Sequence, residues 1–127
     1  MAIISSTPRL KRVYVCSPVK GDQDNPHVIE ENLARAVLYS QLVYKQGHLP
    51  ICPQIYLENA AGLNESKNPT DRYEALKLGL ELLIICDEVW VFGKRIGLES
   101  AGMKKEIEIA RERMMPVHYR PEYLPKL

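Results

Sequence analysis

Ser100, Gly102 and Glu106 stand at the start of an amphipathic run in which Met103, Ile107 and Ala110 recur at helical spacing. Free backbone N–H groups and the helix dipole make such a start favourable for an anion, a phosphate or a carboxylate. Glu106 follows Gly102 by four residues and shares the side of Met103, Ile107 and Ala110, so its carboxylate points back toward the opening turn, while Glu108 faces out. The same residues also read as an ordinary Ser100 cap and a glutamate on the rim of the apolar stripe, paired with Lys105 or Arg113. Further carboxylates stand at Asp22, Glu58, Asp87 and Glu99; Asp87 opens a strand at the far end from any crevice, and Glu99 reads as solvated. His27, His48 and His118 are scattered without metal-ligand spacing, and no metal site or cofactor is expected. Cys16, Cys52 and Cys86 have no CxxC spacing and lie in apolar stretches, which predicts reduced, buried thiols. Tyr56, in a polar stretch, is the better stacking candidate, since Trp90 between Val89 and Val91 reads as core. Asn32 and Arg35 read as the outward face of a helix.

These residues must be positioned by an alternating series of elements. Arg12–Ser17 is short and β-branched and is stopped by Pro18 and a turn-rich stretch, so it reads as a strand. From Val28 the apolar residues step by three and four up to Gly47, a left-handed cap, which predicts a helix. His48–Cys52 predicts a second strand, and Pro53–Asn68 a long, functional or mobile loop. Thr70 is a suitable N-cap for a helix whose buried face is expected at Tyr73, Leu76, Leu80, Leu83 and Ile84. A third strand over Asp87–Gly93, a polar connection over Lys94–Ala101, the helix capped by Ser100 and a short strand at Val117–Tyr119 complete the order β-α-β-α-β-α-β. Alternation of this kind argues for a parallel sheet with helices on both faces and a ligand crevice at the strand C-termini. The loops after the first three strands, starting at Ser17, Pro53 and Gly93, should converge there.

Composition bounds the rest. The chain has 127 residues, 46% hydrophobic and 26% charged, the balance of one ordinary domain. Seventeen basic against sixteen acidic residues give a net charge of +1, which argues against a nucleic-acid or anionic-membrane footprint. No apolar run reaches the roughly 18 residues of a membrane span, and the first residues lack a signal-peptide core, so a cytoplasmic location is expected. The organisation expected is an arm over 1–11, a domain over 12–120 and a tail over 121–127.

Four segments together resemble a known family: VYVCSP at Val13–Pro18, GHLPICP at Gly47–Pro53, CDEVWVFG at Cys86–Gly93 and SAGMKKEIEIA at Ser100–Ala110. They are similar to the nucleoside 2-deoxyribosyltransferase superfamily over nearly the whole chain after Lys11. The resemblance implies an α/β, Rossmann/flavodoxin-like three-layer sandwich with a parallel four- to five-stranded sheet and helices on both faces. It implies cleavage or transfer of the N-glycosidic bond of a nucleoside or nucleoside monophosphate through a covalent glycosyl-glutamate. Glu106, in the Gly102-x-x-x-Glu106 match, would be the nucleophile, and Tyr14 on the first strand would orient its carboxylate. Retaining chemistry of this kind uses a second acid roughly 5 Å from the nucleophile. The family's acid on the second helix falls at or near Gly79 here, and a further carboxylate at about Ser100, so both are missing. The candidate substrate-binding residues are Ser17, Pro18, Tyr56, Gly93, Ser100, Gly102 and Met103, with Ser100 and Gly102 placed for a 5′-phosphate. Partners expected are a small nucleoside or nucleotide and further copies of the chain, as a homodimer or larger, with the tail supplying contacts. A non-catalytic nucleotide-binding sensor or accessory module of the same fold is the alternative, and a structural protein without a site a third reading.

Overall fold

The computed structural model describes residues 9–19, 26–59, 69–120 and 123. Among the described residues, four strands and four helices are formed: β1 (Arg12–Cys16), α1 (Pro26–Lys45), β2 (Leu49–Ile51), α2 (Pro53–Asn59), α3 (Pro69–Ile84), β3 (Glu88–Val91), α4 (Ala101–Glu112) and β4 (Val117–Tyr119). The strands make one sheet in the order β2-β1-β3-β4, every pair parallel. Tyr14 is registered with Ile51 on one side and Val89 on the other. β2 lies on one side of β1, and the chain then crosses to β3 on the other side, so the strand order reverses between β1 and β3. Sheets of this class bind ligands beyond the strand C-termini at that reversal.

Period-two alternation divides the core. Val13 and Val15 of β1 pack with Trp90, Phe92, Cys52 and the Ala36, Tyr39 and Val43 stripe of α1. Tyr14 and Cys16 point the other way, into a core made with Val89, Val91, Leu83 of α3 and Met103, Ile107 and Ala110 of α4. The expected helix layers on both faces are therefore present.

Local chemistry sets the boundaries. At the end of α1, Gly47 takes φ +90°, its N–H bonds the Tyr44 carbonyl at 2.9 Å, and the His48 N–H bonds the Val43 carbonyl at 3.2 Å. This is the left-handed glycine cap anticipated from the sequence. Ser100 caps α4 by accepting from the Met103 N–H at 3.3 Å.

Two expectations are corrected. The stretch from Pro53 is not all loop: Pro53–Asn59 forms α2, with proline at the first helical position, where its missing N–H costs nothing. Seven residues are too few to show a period, and burial of Leu57 holds the turn; residues 60–68 lie outside the described residues. The buried face of α3 is also rotated from the expected one. Ala75 and Leu83 are buried, whereas Tyr73, Leu76 and Ile84 are 69%, 54% and 44% exposed. The helix is apolar on more than one side, so periodicity alone did not select the inner face.

Candidate functional site

A cavity of about 390 Å³ opens at the C-terminal end of β1, between α2, α3 and the first turns of α4. Its size is that of a small-molecule site. Tyr14 and Ser17 come from β1 and the residue after it, Gln54 and Leu57 from α2, and Gly102, Lys105 and Glu106 from α4. The remaining wall is α3, through Tyr73, Leu76, Lys77, Gly79 and Leu80, the helix on which the resemblance placed the family's acid.

Tyr14 and Glu106 meet at this cavity. Tyr14 is 1% exposed, and its phenol is hydrogen-bonded to the Glu106 carboxylate. Burial, the Glu106 charge and that bond together push the phenol well above its usual value near 10, so it stays protonated and donates to Glu106. Glu106 is half-buried with Oε2 shielded from solvent. Cys16 beside them is pushed up by burial, then by the charges of Glu106 and Glu99, and is an inert thiol.

The first loop is held by a residue the sequence reading passed over. Gln54 donates from Nε2 to the Ser17 carbonyl at 3.1 Å, the Ser17 hydroxyl at 3.3 Å and the Pro18 carbonyl at 3.1 Å. A glutamine at the start of a stretch read as loop gave no periodic signal. Asn32 was read as outward, yet its Nδ2 donates to the Val19 carbonyl at 2.9 Å and pins the same segment. Arg35 does face out, in an i,i+4 pair with Glu31 at 3.7 Å.

Among the candidate site residues, Tyr14, Ser17, Gly102 and Glu106 share the cavity wall. The others lie apart from it. Pro18 accepts from Gln54 and packs beside Gly93, whose φ of +80°, with a Cβ there meeting Pro18 Cδ at 3.0 Å, identifies a turn that admits only glycine without strain. Met103 is 2% exposed in the core. Ser100 uses its hydroxyl as the α4 cap. Tyr56 is 44% exposed and faces a shallow groove with Pro50 and Ile55 instead.

The further carboxylates are likewise placed. Asp87 accepts from the Arg12 N–H at 2.7 Å and pairs with Arg9 at 3.3 Å, at the opposite end of β1 from the cavity. Glu99 accepts from the Tyr119 hydroxyl, and that bond holds its carboxyl below the usual range, so it is ionised at neutral pH. Asp22 lies outside the described residues, as does the side chain of Glu58. Gly79 faces the site: a Cβ built on it would lie 3.8 Å from the Tyr14 hydroxyl, in ordinary contact. Steric crowding does not require glycine there, although glycine inside a helix costs about 1 kcal/mol against alanine.

All three cysteines are free and buried. Among the described residues, no three His, Cys, Asp or Glu side chains group in a way that could hold a metal ion. No helix of the described residues is long and apolar enough to cross a membrane.

Residues 11–120 match the model of a family described as Domain of unknown function (DUF7768). The chain belongs to the DUF7768 family. No curated protein matches it. Among solved structures, the DUF7768 chain is similar to a 2-deoxyribosyltransferase from the psychrotolerant bacterium Bacillus psychrosaccharolyticus, with a TM-score of 0.59 and 20% identity over 85% of this chain and 70% of that one. That enzyme is described as a biocatalyst for the synthesis of nucleosides. At this identity the likeness establishes a shared fold.

Proposed function

We propose that the cavity binds a nucleoside or nucleoside monophosphate and that Glu106 attacks its anomeric carbon, releasing the base and leaving a glycosyl ester that a second base or water resolves. The observation that carries this reading is the meeting of the buried Tyr14 phenol with the Glu106 carboxylate at the wall of a ligand-sized cavity. A carboxylate aimed by a neutral phenol keeps one oxygen in a fixed direction, which nucleophilic attack on carbon requires. The apolar surfaces of Leu57, Leu76 and Leu80 suit a planar base, and Lys77 and Lys105 suit a 5′-phosphate. Similarity of fold to a nucleoside-processing enzyme supports the same substrate class.

Gly79 favours a second reading, a module that binds the nucleotide without cleaving it, because no acid stands at that point of the wall. Two measurements separate the readings. A nucleoside or nucleotide that binds must raise the melting temperature. Chromatography of free base then decides catalysis: release by the natural chain and none by Glu106→Ala supports the nucleophile, whereas equal release by both removes it. The chain is further proposed to work as a homodimer or larger assembly, which light scattering at micromolar concentration tests; a monomer rejects it.

A further inference from the structure

Cleaving an N-glycosidic bond leaves an electron pair on the ring nitrogen. A neutral base accepts it readily only if a proton arrives at the same time, and a positioned acid with a pKa near the working pH supplies that proton. The cavity's described lining offers one carboxylic group, Glu106, and no histidine. Glu106 is the nucleophile of the reading on which this inference rests. Tyr14 is held protonated against it, the Ser17 hydroxyl accepts from Gln54 and, as an aliphatic alcohol, is too weak an acid for the task, and Tyr73, Lys77 and Lys105 are exposed. Opposite the Tyr14 hydroxyl, where a Cβ would fit at 3.8 Å, Gly79 presents bare backbone.

We infer that the site takes N-glycosides whose base is already a cation, a pyridinium ring on a sugar 5′-phosphate, and that Gly79 sets this preference. A pyridinium needs no proton. Glu106 forms the bond from Oε to C1′, the C1′–N bond breaks, and its electron pair neutralises the ring nitrogen, so the base departs as a neutral heteroaromatic. Water then attacks C1′, the carboxylate leaves, and one proton passes to solvent. The charges match this substrate: the carboxylate faces the cationic ring, the two lysine ammoniums suit the phosphate, and the aliphatic wall of α3 takes the flat ring.

The test follows base release from nicotinamide mononucleotide, adenosine monophosphate and uridine monophosphate, each corrected for its rate without protein. Nicotinamide release should exceed adenine and uracil release by about 100-fold or more in kcat/KM, the usual contribution of a general acid. Its kcat/KM should stay level between about pH 7 and about pH 9, because departure of a neutral ring calls on no proton donor of the described lining. Gly79→Asp should raise adenine release by roughly tenfold and introduce a fall on the alkaline side. Adenine or uracil release within tenfold of nicotinamide, dependent on Glu106, overturns the cationic-base preference and leaves the nucleophile standing. No release from any of the three, or release unchanged in Glu106→Gln, overturns both.

Discussion

The two faces of the sheet are built from adjacent residues of the same strands and serve different ends. On the α1 face, Val13, Val15, Trp90 and Phe92 pack with Ala36, Tyr39 and Val43 of α1. Tyr39 stacks on Phe92 with ring centroids 4.5 Å apart, and Tyr123 closes the cluster edge-on at 5.9 Å from Tyr39 and 6.2 Å from Phe92. Tyr123 thus packs against the same cluster. On the α3/α4 face the core is fully buried at Leu83 and Ala110, but toward the strand C-termini it gives way to the cavity and the Tyr14–Glu106 pair. The polar group on the first face is differently used: Glu88 accepts from Trp90 Nε1 at 2.7 Å and lies 3.4 Å from Lys11, with Arg120 over the Trp90 ring at 4.2 Å. Buried charge there is tied to a fixed aromatic ring, whereas Glu106 borders open space. A buried carboxylate alone is therefore no mark of a site; its neighbourhood decides.

This contrast can be broken from either side. Replacing the carboxylate in Glu106→Gln, which leaves the Tyr14 phenol an acceptor, should lower base release by at least about 10⁴-fold while barely moving the melting temperature, as loss of a nucleophile does; a large fall in melting temperature would make Glu106 a structural residue like Glu88. On the other face, Phe92→Ala should cost about 3–5 kcal/mol of stability in denaturant unfolding, by cavity formation, with ligand affinity little changed in the folded fraction.

Trp90→Phe should cost about 1–3 kcal/mol, since Glu88 loses its short donor inside the fold; an unchanged midpoint would show that Lys11 and His118 hold that carboxylate alone.

Tyr14→Phe should reduce base release roughly tenfold, because orientation is lost while the nucleophile remains. It should also change alkaline stability. The folded phenol is held above its unfolded value, so its stabilising contribution is complete below about pH 10 and is lost as pH rises toward the folded value. The variant should lack that part of the alkaline decline in thermal scans. The smallest effect separates two glycines. Gly47→Ala, at φ +90° in open space, should cost about 1 kcal/mol, and Gly93→Ala more, because its new Cβ also meets Pro18 at 3.0 Å.

Legibility in the sequence followed periodicity. β1, β3, the Gly47 cap, the Ser100 cap and the buried Met103–Ile107–Ala110 stripe were all readable, since each rests on neighbours within one element. Glu106 was readable as a residue of that stripe facing back toward the strand ends. Gln54 and Asn32 were not, because what distinguishes them is a partner distant in the chain, the carbonyls of Ser17, Pro18 and Val19, and the α3 wall was reached only through the resemblance at Gly79. Tyr56 looked suitable by residue type and fell on another groove once α2 wound into a helix.

Alternation along β1 determined by itself that Tyr14 and Cys16 would face opposite to Val13 and Val15, since side-chain direction in a strand is a property of the backbone. Which helices would cover each face, and that Gly79 would come to rest beside the Tyr14 hydroxyl 65 positions away in the chain, were decided only when the crossovers packed. Contacts across such separations depend on how whole elements share the available volume, and no local pattern of residues encodes that division.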